Sequence, residues 1–369
     1  MSKAVSVASE KAAVPDYFKI MAEMEHEQLV FCNDADTGLK AIIGIHSTVL
    51  GPAMGGSRMW NYNSTEAAVV DVLRLARGMT YKSALAGLNV GGGKAVLIGD
   101  PNKLKSEAYF RRFGKFIESL NGKYITAGDV NITVKDLAHI RTETRHVTGL
   151  PESMGGSGSS SIITAYGTYM GIKAAVKYAY GSDSLEGKKV AVQGVGAVGI
   201  HLLPHLRKEN AEVFVSDIEE ERLQFAAREH GAHIVSEKDI YDLDVDVFSP
   251  CALGAVINDD TIYRLKCQVI AGAANNQLAD EEKHGALLQE KGIVYAPDFV
   301  VNAGGIMAVA AEYFGEYDKD LLYQKAENIY DHCLHVLHYA QKHAMIAQKA
   351  AILLAEQRIT QIGNLKKIM

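Results

Sequence analysis

Proline and cysteine are scarce in this 369-residue chain, which holds 7 prolines and 4 cysteines against 34 glycines. The cysteines, Cys32, Cys251, Cys267 and Cys333, form no CxxC pair, so neither a disulfide framework nor a zinc site is indicated. No apolar run reaches membrane-spanning length, and no membrane partner is expected. Positive charge is not in surplus: the net charge is −6, leaving nothing to neutralise phosphates, so a nucleic-acid partner is not expected either. Met1 to Pro15 are small and polar, without the apolar core of a signal peptide, and the expectation is a cytoplasmic protein.

What is present is an ordinary globular composition, 48% hydrophobic and 22% charged, in a chain long enough for two domains. After the N-terminal tail, Tyr17 to Glu25 reads as a helix. Leu29–Cys32 and Ala41–Ile45 read as strands around the turn-rich Asn33–Gly38. Asn63, with Glu66 three residues on, predicts a helix start, and Ala67, Val70, Leu73 and Ala76 recur at helical spacing toward Lys82. Val96–Ile98 reads as a buried strand and Phe110–Leu120 as an amphipathic helix. The pattern changes near Ala165. From there short apolar strands (Val190–Val192, Val213–Val215, Val245–Phe248, Val269–Ala271, Val294–Ala296) alternate with helical stretches, which implies a parallel sheet covered on both faces. The fold class expected is α/β: a substrate domain over 16–150, a doubly wound Rossmann-type domain over 151–330, and a deep cleft between them. Residues 155–161, glycine- and serine-rich, read as the hinge, the tail from Leu321 onward as continuously helical, and residues 331–369 as C-terminal helices returning to the first domain.

Gly194-Val195-Gly196-Ala197-Val198-Gly199 directly follows the strand Val190–Gln193 and opens a helix. The first glycine allows the tight turn, the second lets backbone approach a pyrophosphate, and the third lets helix and strand pack closely. Asp217 ends the next strand roughly 20 positions on, where it would accept hydrogen bonds from a ribose diol and repel a 2′-phosphate, favouring NAD over NADP.

Two lysines carry the chemistry expected of the first domain. Lys82 ends Arg77-Gly78-Met79-Thr80-Tyr81-Lys82, and Lys94 follows Gly91-Gly92-Gly93. A triple glycine strips side chains from the backbone, so a ligand could lie against it. A lysine held there beside a second cation is pushed toward the neutral amine, which suits proton transfer.

Seven motifs in order carry a resemblance. They are Leu50–Trp60, the run ending at Lys82, Gly91–Lys94, Thr126-Ala127-Gly128-Asp129-Val130, Pro250–Gly254, Gly272–Asn276 and Asn302-Ala303-Gly304-Gly305. Over nearly all of the chain after its tail, the sequence resembles the glutamate, leucine, phenylalanine and valine dehydrogenase superfamily, leucine dehydrogenases most. The resemblance implies reversible oxidative deamination of an L-amino acid, with hydride passing to NAD. It makes Lys94 and Asp129 the catalytic pair and Lys82 the partner of the substrate carboxylate, toward which Gly55 and Gly56 would turn backbone N–H groups. Asn276, Asn302 and Thr164 would lie on the cofactor side with the Gly194–Gly199 fingerprint and Asp217. A homo-oligomer, often an octamer built through the first domain, is also implied.

By the same resemblance Met54, Ala127, Ile306 and Val309 line the side-chain pocket. All are apolar, so a glutamate side chain is not expected: burying its charge unpaired would cost several kcal/mol. Leucine is the first expectation, with valine and isoleucine beside it and phenylalanine or tryptophan as the alternative. Met54, Gly128 and Asn131 depart from the leucine-type pattern, and Asn131 is more like the aromatic branch. Two prolines usual before Thr164 in the family are also missing, which predicts a softer hinge. A non-catalytic NAD-binding sensor and a hydroxy-acid dehydrogenase are the readings from other classes, and both leave Lys82, Lys94 and Asp129 without a task. His332, His335 and His338 step around a helix rather than gathering on one side, so no metal site is expected.

Overall fold

Asp34 and Gly38 make the first reversal of the chain. The Asp34 carboxylate accepts from Thr37 N and Oγ1 at 3.1 and 2.7 Å, and Gly38 takes a φ of 71°. Strands β1 (Gln28–Asp34) and β2 (Leu39–Ser47) are thereby paired antiparallel, from Gln28↔Ile45 to Asp34↔Leu39. The structure is a computed structural model that describes residues 16–368. The expectation for Met1 to Pro15 lies outside the described residues.

Four further strands complete the first sheet: β3 (Ala53–Met54), β4 (Ser57–Trp60), β5 (Gly91–Ile98) and β6 (Tyr124–Ile125), in the order β1-β2-β5-β3-β6 with β4 also on β5. The triple glycine is therefore strand. A methyl group would meet Ser47 O at 1.9 Å from Gly91, Thr80 N at 2.1 Å from Gly92 and Tyr124 Cδ2 at 2.8 Å from Gly93. What lies against these glycines is the protein itself, not space for a ligand.

Helix Thr65–Leu85 covers β5 and β2 with Val69, Val72, Leu73 and Ala76, all buried. Its cap is Ser64, one residue beyond the expected Asn63: Ser64 Oγ accepts the Ala67 N–H at 3.1 Å. The segment read as a soft hinge is tied down. Glu312, on helix Gly304–Phe314, accepts from Leu150 N at 3.2 Å and from Ser157 N and Oγ at 2.9 and 2.6 Å.

The second sheet is wholly parallel. Its strands are β7 (Lys189–Gln193), β8 (Glu212–Ser216), β9 (His233–Ile234), β10 (Val247–Pro250), β11 (Val269–Ile270) and β12 (Val294–Tyr295). The order β12-β11-β10-β7-β8-β9 is the doubly wound arrangement, and β7 and β10 flank its switch point. The C-terminal helix is not continuous: Lys319–Lys342 and Ala347–Ile368 are separated by a turn in which Ala344 takes a φ of 51°. The second of these helices lies on Thr65–Leu85, where Arg358 donates to Leu88 O at 2.9 Å and Tyr81 OH donates to Glu356 at 3.0 Å.

Candidate active site

Lys94 sits in the middle of β5, only 6% exposed, because the glycines before it let the strand run beneath Thr80. β4 runs parallel to β5, and the bridge Ser57↔Gly128 brings the segment after β6 to the same edge. Asp129 thus meets Lys94: Nζ to Oδ2 is 2.8 Å. Arg58, on β4, donates from Nε to that same Oδ2 at 3.0 Å and from Nη1 to Asp71 at 3.3 Å. Tyr62 OH donates to Asp71 at 2.6 Å. Burial would raise the Asp129 pKa, but the Lys94 and Arg58 charges override it and hold the carboxyl below its ordinary value. Both cations meet the same oxygen, and neither of these two contacts uses Oδ1. The motif Leu50–Trp60 contains Arg58, but sequence alone assigns it no role. Its signal was an arginine at the half-buried position of a strand whose neighbours Ser57 and Met59 are fully buried, a place that demands a countercharge.

Lys82 lies in the last turn of helix Thr65–Leu85. Its Nζ donates to Asn275 Oδ1 at 3.1 Å, across the cleft. Burial pushes its pKa down to about 8, with Asp298 opposing and Lys94 assisting. Of the asparagine pair, Asn275 is the one that reaches the lysine. Asn276 takes a φ of 52°, and its carbonyl accepts from Ala255 N at 2.7 Å. Asn302 Nδ2 donates to Asn275 Oδ1 at 2.8 Å and to Ala273 O at 3.0 Å, while Asn302 Oδ1 is buried without a partner among the described residues.

Gly55 corrects the sequence reading, because its N–H donates to Ile125 O at 3.1 Å and is not turned to a ligand. Glycine is needed there because a methyl group would lie 1.9 Å from Gly93 O. At Gly56 it would lie 2.6 Å from Gly128 O. Met54, Ala127, Ile306 and Val309 fall in one contiguous apolar cluster that joins the two domains. Met54 has no exposed surface, while Ala127, Ile306 and Val309, though buried, keep a little. Asn131 takes a φ of 59° and donates to Met59 O at 3.0 Å. Glycine and asparagine are both residues that tolerate this conformation, so the departure at 131 reports the turn rather than the pocket.

The fingerprint residues suit a dinucleotide. Gly194 takes a φ of 94° and lies under Ala252, and a methyl group on Gly199 would strike Gly194 O at 2.0 Å. At Gly196 the only atom a methyl group would meet is Arg222 Nη1, at 3.8 Å, so backbone is open to a pyrophosphate. Ala197 and Val198 lead into helix Gly199–Lys208. Asp217 follows β8, and its carboxylate accepts from Val195 N at 2.8 Å and Glu219 N at 3.0 Å. Thr164 Oγ1 donates to Ser160 O at 2.9 Å and lies against Gly305. No group of His, Cys, Asp or Glu among the described residues is arranged to hold a metal ion.

A buried lysine–carboxylate pair, a second lysine that reaches Asn275 beyond the parallel sheet, and a glycine fingerprint open to a dinucleotide suit an oxidoreductase that works with a nicotinamide cofactor. Comparison with known proteins agrees. The profile "Glu/Leu/Phe/Val dehydrogenase, dimerisation domain" matches residues 26–146, and "Glutamate/Leucine/Phenylalanine/Valine dehydrogenase" matches 155–220 and 214–365. The chain belongs to the Glu/Leu/Phe/Val dehydrogenase family and is an amino-acid dehydrogenase. It is 56% identical to leucine dehydrogenase of Thermoactinomyces intermedius, over 93% of each chain. It is 55% identical to leucine dehydrogenase of Bacillus subtilis, over 94% of this chain and 95% of that one. The crystal structure of L-tryptophan dehydrogenase from Nostoc punctiforme superposes with a TM-score of 0.83 at 45% identity, covering 94% of this chain and 99% of that one.

Proposed function

We propose that the chain oxidises L-leucine, with valine and isoleucine as further substrates, to the 2-oxo acid and ammonia, using NAD. What supports this reading is the buried Lys94–Asp129 pair, together with the membership of Ala127, Ile306 and Val309, the wall expected for the substrate side chain, in one apolar cluster. No cation stands among those wall residues to receive an acidic side chain. The relatives called leucine dehydrogenase are 52–56% identical, against 48% for the tryptophan and 46–47% for the phenylalanine enzymes.

Lys82 pairs with the substrate carboxylate and so turns the side chain toward the apolar wall. Asp129 takes a proton from the substrate ammonium through the oxygen that Lys94 and Arg58 leave free. When bound, the dinucleotide supplies the hydride acceptor. As the hydride leaves Cα, the free amine's lone pair forms the C=N bond. Lys94, after passing its own proton to solvent, takes one from the water that adds to that carbon, and Asp129 returns its proton to the nitrogen so that ammonia departs as the oxygen becomes a carbonyl. Overall, amino acid, water and oxidised cofactor give oxo acid, ammonium, reduced cofactor and one proton. Gly194, Gly196, Gly199 and Asp217 hold the dinucleotide, with Asp217 set against a 2′-phosphate, and Asn302 and Thr164 stand on the cofactor side of the cleft. Self-association through the first domain, as an octamer, and a cytoplasmic location complete the proposal.

A panel of L-leucine, L-valine, L-isoleucine, L-phenylalanine and L-tryptophan with NAD and NADP tests it. Leucine with NAD should lead, 2-hydroxyisocaproate should be inert, and reversal should require ammonium. A preference for an aromatic substrate would overturn the substrate assignment, and sedimentation tests the octamer.

A further inference from the structure

Lys82 can hold a carboxylate only while it stays an ammonium group, in a cleft that strips its water and sets Lys94 beside it. Among the charges that keep it protonated, Asp298 outweighs even Asp129. Asp298 belongs to the opposite domain. It is 5% exposed and opens the short helix Asp298–Val301, which packs across the cleft on helix Thr65–Leu85.

The same residue builds the loop that Lys82 touches. Asp298 Oδ2 accepts from Gln277 N at 3.3 Å, Oδ1 accepts from Phe299 N at 2.7 Å, and its carbonyl accepts from Asn302 N at 2.8 Å. Gln277 closes the turn from within, donating to Gly272 O at 2.8 Å and Ala274 O at 3.0 Å. Asn275, carried on that turn, is the acceptor of both Lys82 Nζ and Asn302 Nδ2. The buried carboxylate therefore anchors the turn that carries Asn275, the backbone carbonyl of the same residue holds Asn302, and the carboxylate charge acts on the lysine that Asn275 meets.

We propose that Asp298 is a positioning residue for the substrate carboxylate: it sets a buried negative charge behind Lys82 and holds the turn that delivers Asn275. The inference rests on the assignment of Lys82 to the carboxylate. The charged groups acting on Lys82 are Lys94 from β5, Asp129 from the segment after β6, and Asp298. Asp298 in turn faces Lys82 and lies near the buried Tyr295 of β12, whose phenol stays neutral. Burial raises the Asp298 carboxyl pKa and Lys82 lowers it, so each charge supports the other. Helix Asp298–Val301 packs on helix Thr65–Leu85, so the packing that buries Lys82 also brings the compensating charge.

The sign follows. Without the Asp298 charge, Lys82 loses its proton at lower pH, and the alkaline limb of kcat/KM moves down. The test uses the full-length protein and Asp298→Asn, with pH profiles for L-leucine. Calorimetric binding is measured beside them, with NADH present, for isocaproate (a carboxylate without an amine) and isopentylamine (an amine without a carboxylate). The expected result is an alkaline limb lowered by about one pH unit, with isocaproate binding weakened about tenfold at pH 8 and isopentylamine unchanged within about twofold. Equal loss of both ligands, or an unmoved limb, overturns the proposal. Should Asp298→Asn fail to fold, Asp298→Glu keeps the charge while displacing the turn. The limb then stays and isocaproate weakens, and a limb that moves with the charge retained overturns the proposal. If the native chain does not oxidise leucine, the functional reading fails. If it does and the Asp298→Asn limb does not move, only this inference fails.

Discussion

Along Gly91–Gly93 an added methyl group would sit 1.9, 2.1 and 2.8 Å from Ser47 O, Thr80 N and Tyr124 Cδ2, whereas at Gly196 the nearest atom is Arg222 Nη1 at 3.8 Å. The first run lets a helix and two strands close on each other, and that closeness places Lys94 beside Lys82. The second leaves backbone facing open space at the switch point of a parallel sheet. A glycine run therefore says that something approaches closely. Whether that something is protein or ligand depends on which element crosses above it.

The sharpest way to break this contrast is to add the methyl group at both places. Gly92→Ala must displace helix Thr65–Leu85 or β5, and should cost about 3 kcal/mol with near-complete loss of activity. Gly196→Ala should change stability by less than about 0.5 kcal/mol, yet weaken NADH binding about tenfold. Urea unfolding and fluorescence titration read the two effects. A Gly92→Ala protein as stable as the native one would mean that packing does not explain the first run.

Arg58→Met separates the catalytic pair from its support. Burial raises the Asp129 pKa, and Lys94 and Arg58 more than offset it. The stability those charges contribute is present above the unfolded value of about 3.9 and is lost as pH falls through the folded one. Removing Arg58 raises the folded value. The acid limb of kcat should move up by about one pH unit, with kcat itself down about tenfold. An unmoved limb would show that Lys94 alone sets the charge of Asp129.

On the cofactor side the expected effect is smaller. Asp217→Ser frees Arg222, whose Nη1 is 3.6 Å from Asp217 Oδ1, to meet a 2′-phosphate. The preference for NAD over NADP should fall about tenfold, with about 1 kcal/mol of stability lost from the Val195 N–H bond. Parallel titrations with the two reduced cofactors check it. An unchanged ratio would remove Asp217 from cofactor choice.

These sites differ in how far the chain alone reveals them. Strand–helix alternation after Ala165 and the spacing from Gly194 to Asp217 are local patterns, and they fix a parallel sheet and its fingerprint. The Lys94–Asp129 contact is not local. It depends on β3 and β4 joining β5, and β6 joining β3, out of chain order, and only the resemblance points to it. The break at Ala344 uses no glycine or proline, since Met345 N donates to Ala340 O at 3.0 Å to end the helix, and no residue type announces it. Glu312 pinning Ser157 is likewise a long-range contact, invisible in a stretch whose glycines and serines suggest looseness.

Asn131→Gly is the smallest change and bears on the substrate. The side-chain bond to Met59 O is worth about 1 kcal/mol. Against that loss, glycine takes the φ of 59° without the steric cost of a Cβ, so the net change should stay within about 0.5 kcal/mol. Asn131 lies outside the apolar cluster of Ala127, Ile306 and Val309, so the ratio of leucine to phenylalanine turnover should not change. A shift toward leucine by more than about threefold would mean that this turn reaches the pocket after all, since one methylene's worth of discrimination is about 1–3 kcal/mol. An unchanged ratio leaves the choice of side chain to the three wall residues that keep exposed surface.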